Sequence, residues 1–247
     1  KRFTLRRKTL EKRRGNECIA RPIQLCHEDP MTDQNFQAMR RAMVESQLRT
    51  SDVNDPALLD VILAVPREAF LPAERQSAAY IDRAVPLSAG RSINPPLATA
   101  RLLTEAAVKA GDHVLLVGAA TGYAAALLAR LGCTVVAVEE DEALVAHART
   151  ALASYAGVTI EQGALAQGHA KGATYDVLFI DGAVESLPDA LVDQLKVGGR
   201  AVFAIAERGV TRLCSGVRTA GGFGSRAFSD SEAALLPGFA QPKSFTF

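Results

Sequence analysis

The sequence predicts a doubly wound α/β fold: a mostly parallel sheet, an N-terminal helical cap and an antiparallel C-terminal edge. Three observations predict it. After Gly111, short and continuously apolar runs ("HVLLVG", "TVVAVEE", "YDVLFIDG") alternate with helical patterns ("YAAALLARLG", "DEALVAHARTALAS"). Strands that are apolar throughout, rather than at alternate positions, belong to parallel sheets covered on both faces. Residues 33–110 show helical spacing without such runs, and the tail carries Phe223, Phe228, Phe239, Phe245 and Phe247 among short β-like runs that suit antiparallel edge strands.

Each element follows in order. From Asp33 to Gln47, apolar Phe36, Met39, Met43 and Val44 recur at helical intervals. A second helix is expected at 55–64, with Asp55 as cap and Pro56 at the first helical position, where its missing N–H costs nothing. "VPREAFLP" breaks it between prolines. Residues 72–96, rich in Pro, Gly, Ser and Asp, read as loop, and a helix resumes at about 97–109. Strands are then expected at 113–118, 134–140, 158–163, 175–182 and 199–207, and helices at 123–132, 141–154 and 187–195.

Composition narrows the classes. Of 247 residues, 48% are hydrophobic and 22% charged, enough apolar material for a sizeable core. No run approaches the ~18 apolar residues of a membrane helix, so no membrane partner is expected. Residues 1–30 carry nine Lys/Arg against four Asp/Glu; from totals of 28 and 27 this leaves 19 basic and 23 acidic residues for 31–247. A mildly acidic body does not call for a nucleic-acid partner. The basic leader lacks the apolar core of a secretory signal. A disordered or non-native leader is expected, with the composition changing at Met31. Cys18, Cys26, Cys133 and Cys214 are scattered without a C-x-x-C pair, which argues against disulfides and zinc and fits a reducing cytoplasm. His27, His113, His147 and His169 are equally dispersed, so no metal site is expected.

"VLLVGAATGY" (114–123) is the first strand-to-helix turn, the place where doubly wound sheets hold ligands. A dinucleotide fold needs G-x-G-x-x-G, with its last glycine five positions after the first. Here Gly118 and Gly122 are four apart, closer to the G-x-G-x-G loop that binds S-adenosyl-L-methionine (SAM), with Ala120 at the middle glycine. SAM has no pyrophosphate pressing on bare amides. A methyl group at 120 costs little at negative φ and on the order of 1 kcal/mol at positive φ. The other reading is a generic tight turn. Glu139, 21 positions after Gly118, ends the next strand, where a carboxylate accepts hydrogen bonds from ribose hydroxyls. Glu140 and Asp141 read as a helix start. Asp181 ends the fourth strand at the active-site rim, where it binds a metal, orients substrate or caps a turn. Asp176, at that strand's start, reads as structural.

Five ordered segments resemble the protein-L-isoaspartate O-methyltransferases. They are "MVESQLR" (43–49), "ILAVPREAFLP" (62–72), "AYIDRAVPLSAGRSINPP" (79–96, against "AY-D---PI--GQTISQP"), "VLLVGAATGYAAALLARL" (against "VLEIGTGSGYQAAVLA-L") and "QLKVGGRAVF" (194–203). The resemblance implies a SAM-dependent methyltransferase fold. With the 1–30 leader set apart by its composition, it implies a 31–110 cap and substrate-side segment and a 111–247 SAM-binding α/β domain forming one compact unit with the cap. It implies Ile93, Gly118, Ala120, Gly122, Tyr123, Glu139, Ala164 and Leu165 at the cofactor, with Asn94 and Ser92 at the substrate carboxylate. The implied partner is a peptide or protein bearing an isoaspartyl residue, and the expected state is a monomer or weak homodimer. The departures are Asn94 for Ser, Pro95 for Gln, Leu116 for an acid, Ala120 for Gly, "GAL" (163–165) for "GDG", and the added Asp181. They keep two alternatives open: SAM-dependent transfer to another acceptor, including metal-assisted transfer through Asp181, or a SAM-binding module without transfer.

Overall fold

The computed structural model describes residues 33–88 and 90–240. The leader at 1–30, Cys18, Cys26, His27, Phe245 and Phe247 lie outside the described residues. The chain begins with α1 (Asp33–Met43), which passes through a π-turn at Val44–Leu48 and a 3-10 turn at Arg49–Ser51. Next comes α2 (Pro56–Ala64). Asp55 caps it as predicted, accepting the amides of Ala57 at 2.8 Å and Leu58 at 3.2 Å, a cap worth about 1 kcal/mol. Arg40 on α1 binds this layer together. Its guanidinium donates to Tyr80 Oη at 2.7 Å, the Leu63 carbonyl at 2.9 Å and Glu68 Oε1 at 2.8 Å.

Residues 72–96 are not simply loop. They hold a 3-10 segment at Ala73–Ala78 and an antiparallel hairpin of β1 (Val85–Ser88) and β2 (Arg91–Ile93). Strands of four and three residues are too short to show a period among turn-forming residues. α3 (Pro96–Ala106) stops three residues earlier than expected, because Ala107 turns into the left-handed region at φ +43.

The doubly wound unit follows: β3 (His113–Val117), α4 (Tyr123–Arg130), β4 (Thr134–Glu139), α5 (Glu142–Ala151), β5 (Val158–Gln162), β6 (Tyr175–Val184), α6 (Asp189–Val192) and β7 (Leu195–Glu207). β8 (Val210–Thr219) and β9 (Gly222–Asp230) close it. The seven-stranded order is β5-β4-β3-β6-β7-β8-β9, parallel through β7 and antiparallel at the β8–β9 edge, as predicted. Val114, Leu115, Leu116 and Val117 are all buried, one from each face in turn. Each fully buried aliphatic side chain contributes roughly 1.5–3 kcal/mol. Leu116, at the position the family fills with an acid, is part of this core.

α6 is shorter than the predicted 187–195 helix. Tyr175 N–H donates to the Gln194 carbonyl at 2.9 Å and Tyr175 pairs with Leu195, so residues 194–195 belong to the sheet and the helix ends before them. β6 runs past the predicted Gly182 because Ala183 pairs with Ala204 and exchanges hydrogen bonds with Ala234 and Leu236 of the following tail. No helix among the described residues is long and apolar enough to cross a membrane. Cys133 and Cys214 are free and buried.

Candidate cofactor and active site

The strand order reverses between β3 and β6. Ligands of such sheets bind outside the carboxyl ends of the strands at this switch point. The turn after β3 is held tightly to β4. Gly118 and Ala119 donate their amides to the Val138 carbonyl at 3.0 and 3.1 Å, and Ala120 N–H donates to Glu139 Oε2 at 2.7 Å. Gly118 and Gly122 lie at φ +80 and +101, and Ala120 at φ +49. The alanine therefore takes the costly left-handed conformation. Its hydrogen bond to a buried carboxylate, worth about 1.5–3 kcal/mol, offsets a strain of about 1–2 kcal/mol.

Glu139 is fully buried, and five N–H groups converge on it. Oε1 accepts from Arg91 Nε at 3.1 Å, Glu140 N at 3.0 Å and Asp141 N at 3.3 Å. Oε2 accepts from Arg91 Nη2 at 2.5 Å and from Ala120 N. The Arg91–Glu139 pair is bidentate, with Arg91 itself 3% exposed. Gly163 N–H donates to the Glu139 carbonyl at 3.0 Å, which sets Ala164 and Leu165 beside the end of β4. Ala164 is exposed, and Leu165 opens a 3-10 turn with its side chain buried.

Asn94 follows β2 and is nearly saturated. Its Nδ2 donates to Asp181 Oδ1 at 3.0 Å, its Oδ1 accepts from Ala234 N at 2.9 Å, and its carbonyl accepts from Arg67 Nη2 at 2.7 Å. Thr99 Oγ1 also donates to Asp181 Oδ1, at 2.8 Å. Burial pushes the Asp181 carboxyl up from its ordinary range, against the pull of those two hydrogen bonds and of the Arg67 and Arg91 charges. Arg67, of the Pro-Arg pair, is completely buried. It donates through Nε to the Ala79 carbonyl at 2.7 Å and lies over the Tyr123 ring, 4.8 Å from its centroid. Burial pushes the Tyr123 phenol up to about 12, and its ring meets Phe70 edge-on at 5.6 Å. Tyr123 thus lies in the core beneath the turn. Ser92 is half-buried on β2, alternating with Arg91 and Ile93, which are both buried.

The segment after β9 also reaches the site. Ala183 N donates to the Ala234 carbonyl at 2.7 Å, and Leu236 N to the Ala183 carbonyl at 2.8 Å. A Cβ on Gly182 would stand 2.6 Å from the Ala234 carbonyl oxygen, and one on Gly118 would stand 2.9 Å from Leu236 Cδ1. The two bare glycines are what let this segment lie against the turn.

Reasoning from the sequence placed Glu139, Ala120 and Gly118 together, and the structure joins them. It missed Arg91, Arg67, Thr99 and the 234–236 segment. Arg91 carried a signal, since it replaces the glutamine of the family's "GQTIS". The partners of Asn94 and Asp181, 87 positions apart, had none. Among the described residues, no group of three or more His, Cys, Asp and Glu side chains is placed to hold a metal. In kind, the residues fit an adenosyl group: a buried carboxylate at the end of β4, a glycine turn after β3, and the Thr121 hydroxyl within it, buried without a hydrogen-bond partner among the described residues.

Fold and site together define a doubly wound α/β protein of the nucleoside-cofactor class. A family model described as protein-L-isoaspartate(D-aspartate) O-methyltransferase matches residues 38–223. A protein-L-isoaspartate O-methyltransferase of Methylorubrum extorquens is 40% identical over 173 residues, 69% of this chain and 75% of that protein. One from Methylorubrum populi is 39% identical over 180 residues, 72% of this chain and 83% of that protein. The chain belongs to the protein-L-isoaspartate O-methyltransferase family, a family of SAM-dependent enzymes. The fold agrees. A Plasmodium falciparum beta-aspartate methyltransferase in complex with S-adenosyl-L-homocysteine superposes with a TM-score of 0.69 at 19% identity, over 81% of this chain and 97% of that one. A second protein-L-isoaspartate O-methyltransferase structure gives 0.70 at 22% identity, over 81% of this chain and 66% of that one.

Proposed function

We propose that this chain transfers a methyl group from SAM to the free carboxylate of isoaspartyl residues in peptides or proteins, a repair reaction. The observation that carries the reading is the buried Glu139 carboxylate bonded to the Ala120 amide. That bond ties the carboxylate assigned as ribose acceptor to the glycine turn at the switch point. SAM, when bound, supplies an electrophilic methyl group on a sulfonium. Glu139 would take the ribose hydroxyls, Gly118 to Gly122 with the Thr121 hydroxyl would line the cofactor, and Ala164 and Leu165 would stand on its adenine side.

The nucleophile needs little help. A free isoaspartyl carboxylate has a pKa of ~4 and is ionised at neutral pH, so no general base is required. The work left to the protein is positioning and exclusion of water. Asn94 and Ser92 form the substrate side, with Ile93 between them on the cofactor side. Asn94, 1% exposed, has one amide hydrogen beyond its bond to Asp181, and that is the donor a substrate carboxylate oxygen would take.

The test is incubation with SAM and paired peptides containing isoaspartate or ordinary aspartate. A base-labile methyl ester on the isoaspartyl peptide alone is the expected result. Its absence, with cofactor binding intact, would sink the acceptor assignment.

A further inference from the structure

Glu139 is the ribose acceptor of the proposed function, and it is already full. A carboxylate offers about four lone-pair positions, and five N–H donors converge on this one. Three are the backbone amides of Ala120, Glu140 and Asp141, which belong to the turn and strand end themselves. The other two belong to a single side chain, Arg91, reaching in from the β1–β2 hairpin. The three amides leave about one of the four positions, and this guanidinium holds it, so a ribose hydroxyl needs an acceptor position that Arg91 occupies.

We propose that Arg91 is an internal competitor for the cofactor: it occupies the ribose acceptor and must leave Glu139 before an adenosyl group binds, so that this side chain sets the cofactor affinity. The inference rests on the proposed function for the identity of the cofactor. Three features equip Arg91 for the exchange. It stands on a two-stranded hairpin separate from the seven-stranded sheet, with an irregular register between Pro86 and Ser88. Its Nη1 is buried without a hydrogen-bond partner among the described residues, so the pair with Glu139 does not satisfy it. Two further carboxylates feel its charge: Asp141, half-buried and accepting a 2.9 Å hydrogen bond from Ser88 of the same hairpin, and Asp181. A displaced guanidinium therefore stays among anions. A ligand that binds only the open form has its apparent affinity reduced by the fraction of protein in that form. The glutamine that the family segment carries at this position is neutral and cannot make a bidentate ion pair.

The experiment is calorimetric titration of S-adenosyl-L-homocysteine into the full chain, as wild type, Arg91→Gln and Arg91→Lys, at one pH and salt concentration, with folding checked by circular dichroism. Arg91→Gln is expected to bind about tenfold tighter or more, tenfold being about 1.4 kcal/mol. Arg91→Lys, which loses the bidentate fork, is expected to fall between. Equal or weaker binding by folded Arg91→Gln overturns the proposal, as does equal or weaker binding by Arg91→Lys should the glutamine variant fail to fold. No binding by any of the three overturns the cofactor reading and this inference together. Tighter binding without methylation of an isoaspartyl peptide overturns only the acceptor assignment.

Discussion

Breaking the Arg91–Glu139 pair from its two sides should cost unequal amounts of stability. Both groups are buried, at 3% and 0% exposure, and joined by bonds of 2.5 and 3.1 Å. Removing one partner of a buried pair costs about 3–5 kcal/mol, mostly because the survivor stays buried and uncompensated. Glu139→Gln leaves that situation. Both hydrogen bonds that Arg91 makes among the described residues go to Glu139 and its Nη1 has none, so the guanidinium loses its bidentate counter-charge and keeps only the longer-range attraction of Asp141 and Asp181. The expected loss is about 3–5 kcal/mol. Arg91→Gln differs, because Glu139 keeps the amides of Ala120, Glu140 and Asp141. Hydrogen bonds to a charged group are worth about 1.5–3 kcal/mol each, and with three retained the expected loss is only about 1–2 kcal/mol. The double variant should lose about 2 kcal/mol less than the sum of the singles. Urea unfolding of the cofactor-free proteins, followed by far-ultraviolet circular dichroism and extrapolated linearly, measures all three. An Arg91→Gln loss as large as that of Glu139→Gln would refute the reasoning. So would additivity of the two changes within about 0.5 kcal/mol.

Three further outcomes are expected. Ala120→Gly should stabilise the chain by about 0.5–1 kcal/mol in thermal unfolding, since relief of the φ +49 strain outweighs the added freedom of the unfolded chain; a loss of stability would mean that the turn tolerates the methyl group without strain. Gly122→Ala should destabilise by about 2 kcal/mol or more, because φ is +101 and the new Cβ would stand 2.6 Å from Leu152 Cδ1; an unchanged midpoint would refute it. For Asp181 the folded carboxyl is raised above its unfolded value, so its contribution is fully present below the unfolded pKa and is lost as pH rises through the folded one. Asp181→Asn should therefore gain stability relative to wild type as pH rises from 4 to 8 (unfolded Asp titrating near ~3.9), and a difference constant across that range would contradict the burial argument.

The α/β class was legible because a parallel strand buried on both faces must be apolar at every position, and "VLLV" and "VLFI" meet that condition locally. The Asp55 cap and the Gly118-to-Gly122 turn were legible for the same reason: each satisfies its own backbone within a few residues. Element ends were less so. The helix predicted at 187–195 contracted to Asp189–Val192 because Leu195 pairs with Tyr175, a partner 20 positions away. The hairpin at 85–93 hid inside a composition that reads as loop.

The sequence by itself determined the sheet, the turn and the carboxylate at the end of β4, since these depend on local periodicity and on spacing along one supersecondary unit. Only the tertiary structure decided how the site is filled. The Arg91 guanidinium crosses 48 positions to take the Glu139 oxygens, and the Ala234 amide crosses 140 to reach Asn94. The physical reason is that a buried charge or amide must find its partner wherever the fold brings one, and that requirement leaves no period or spacing in the chain.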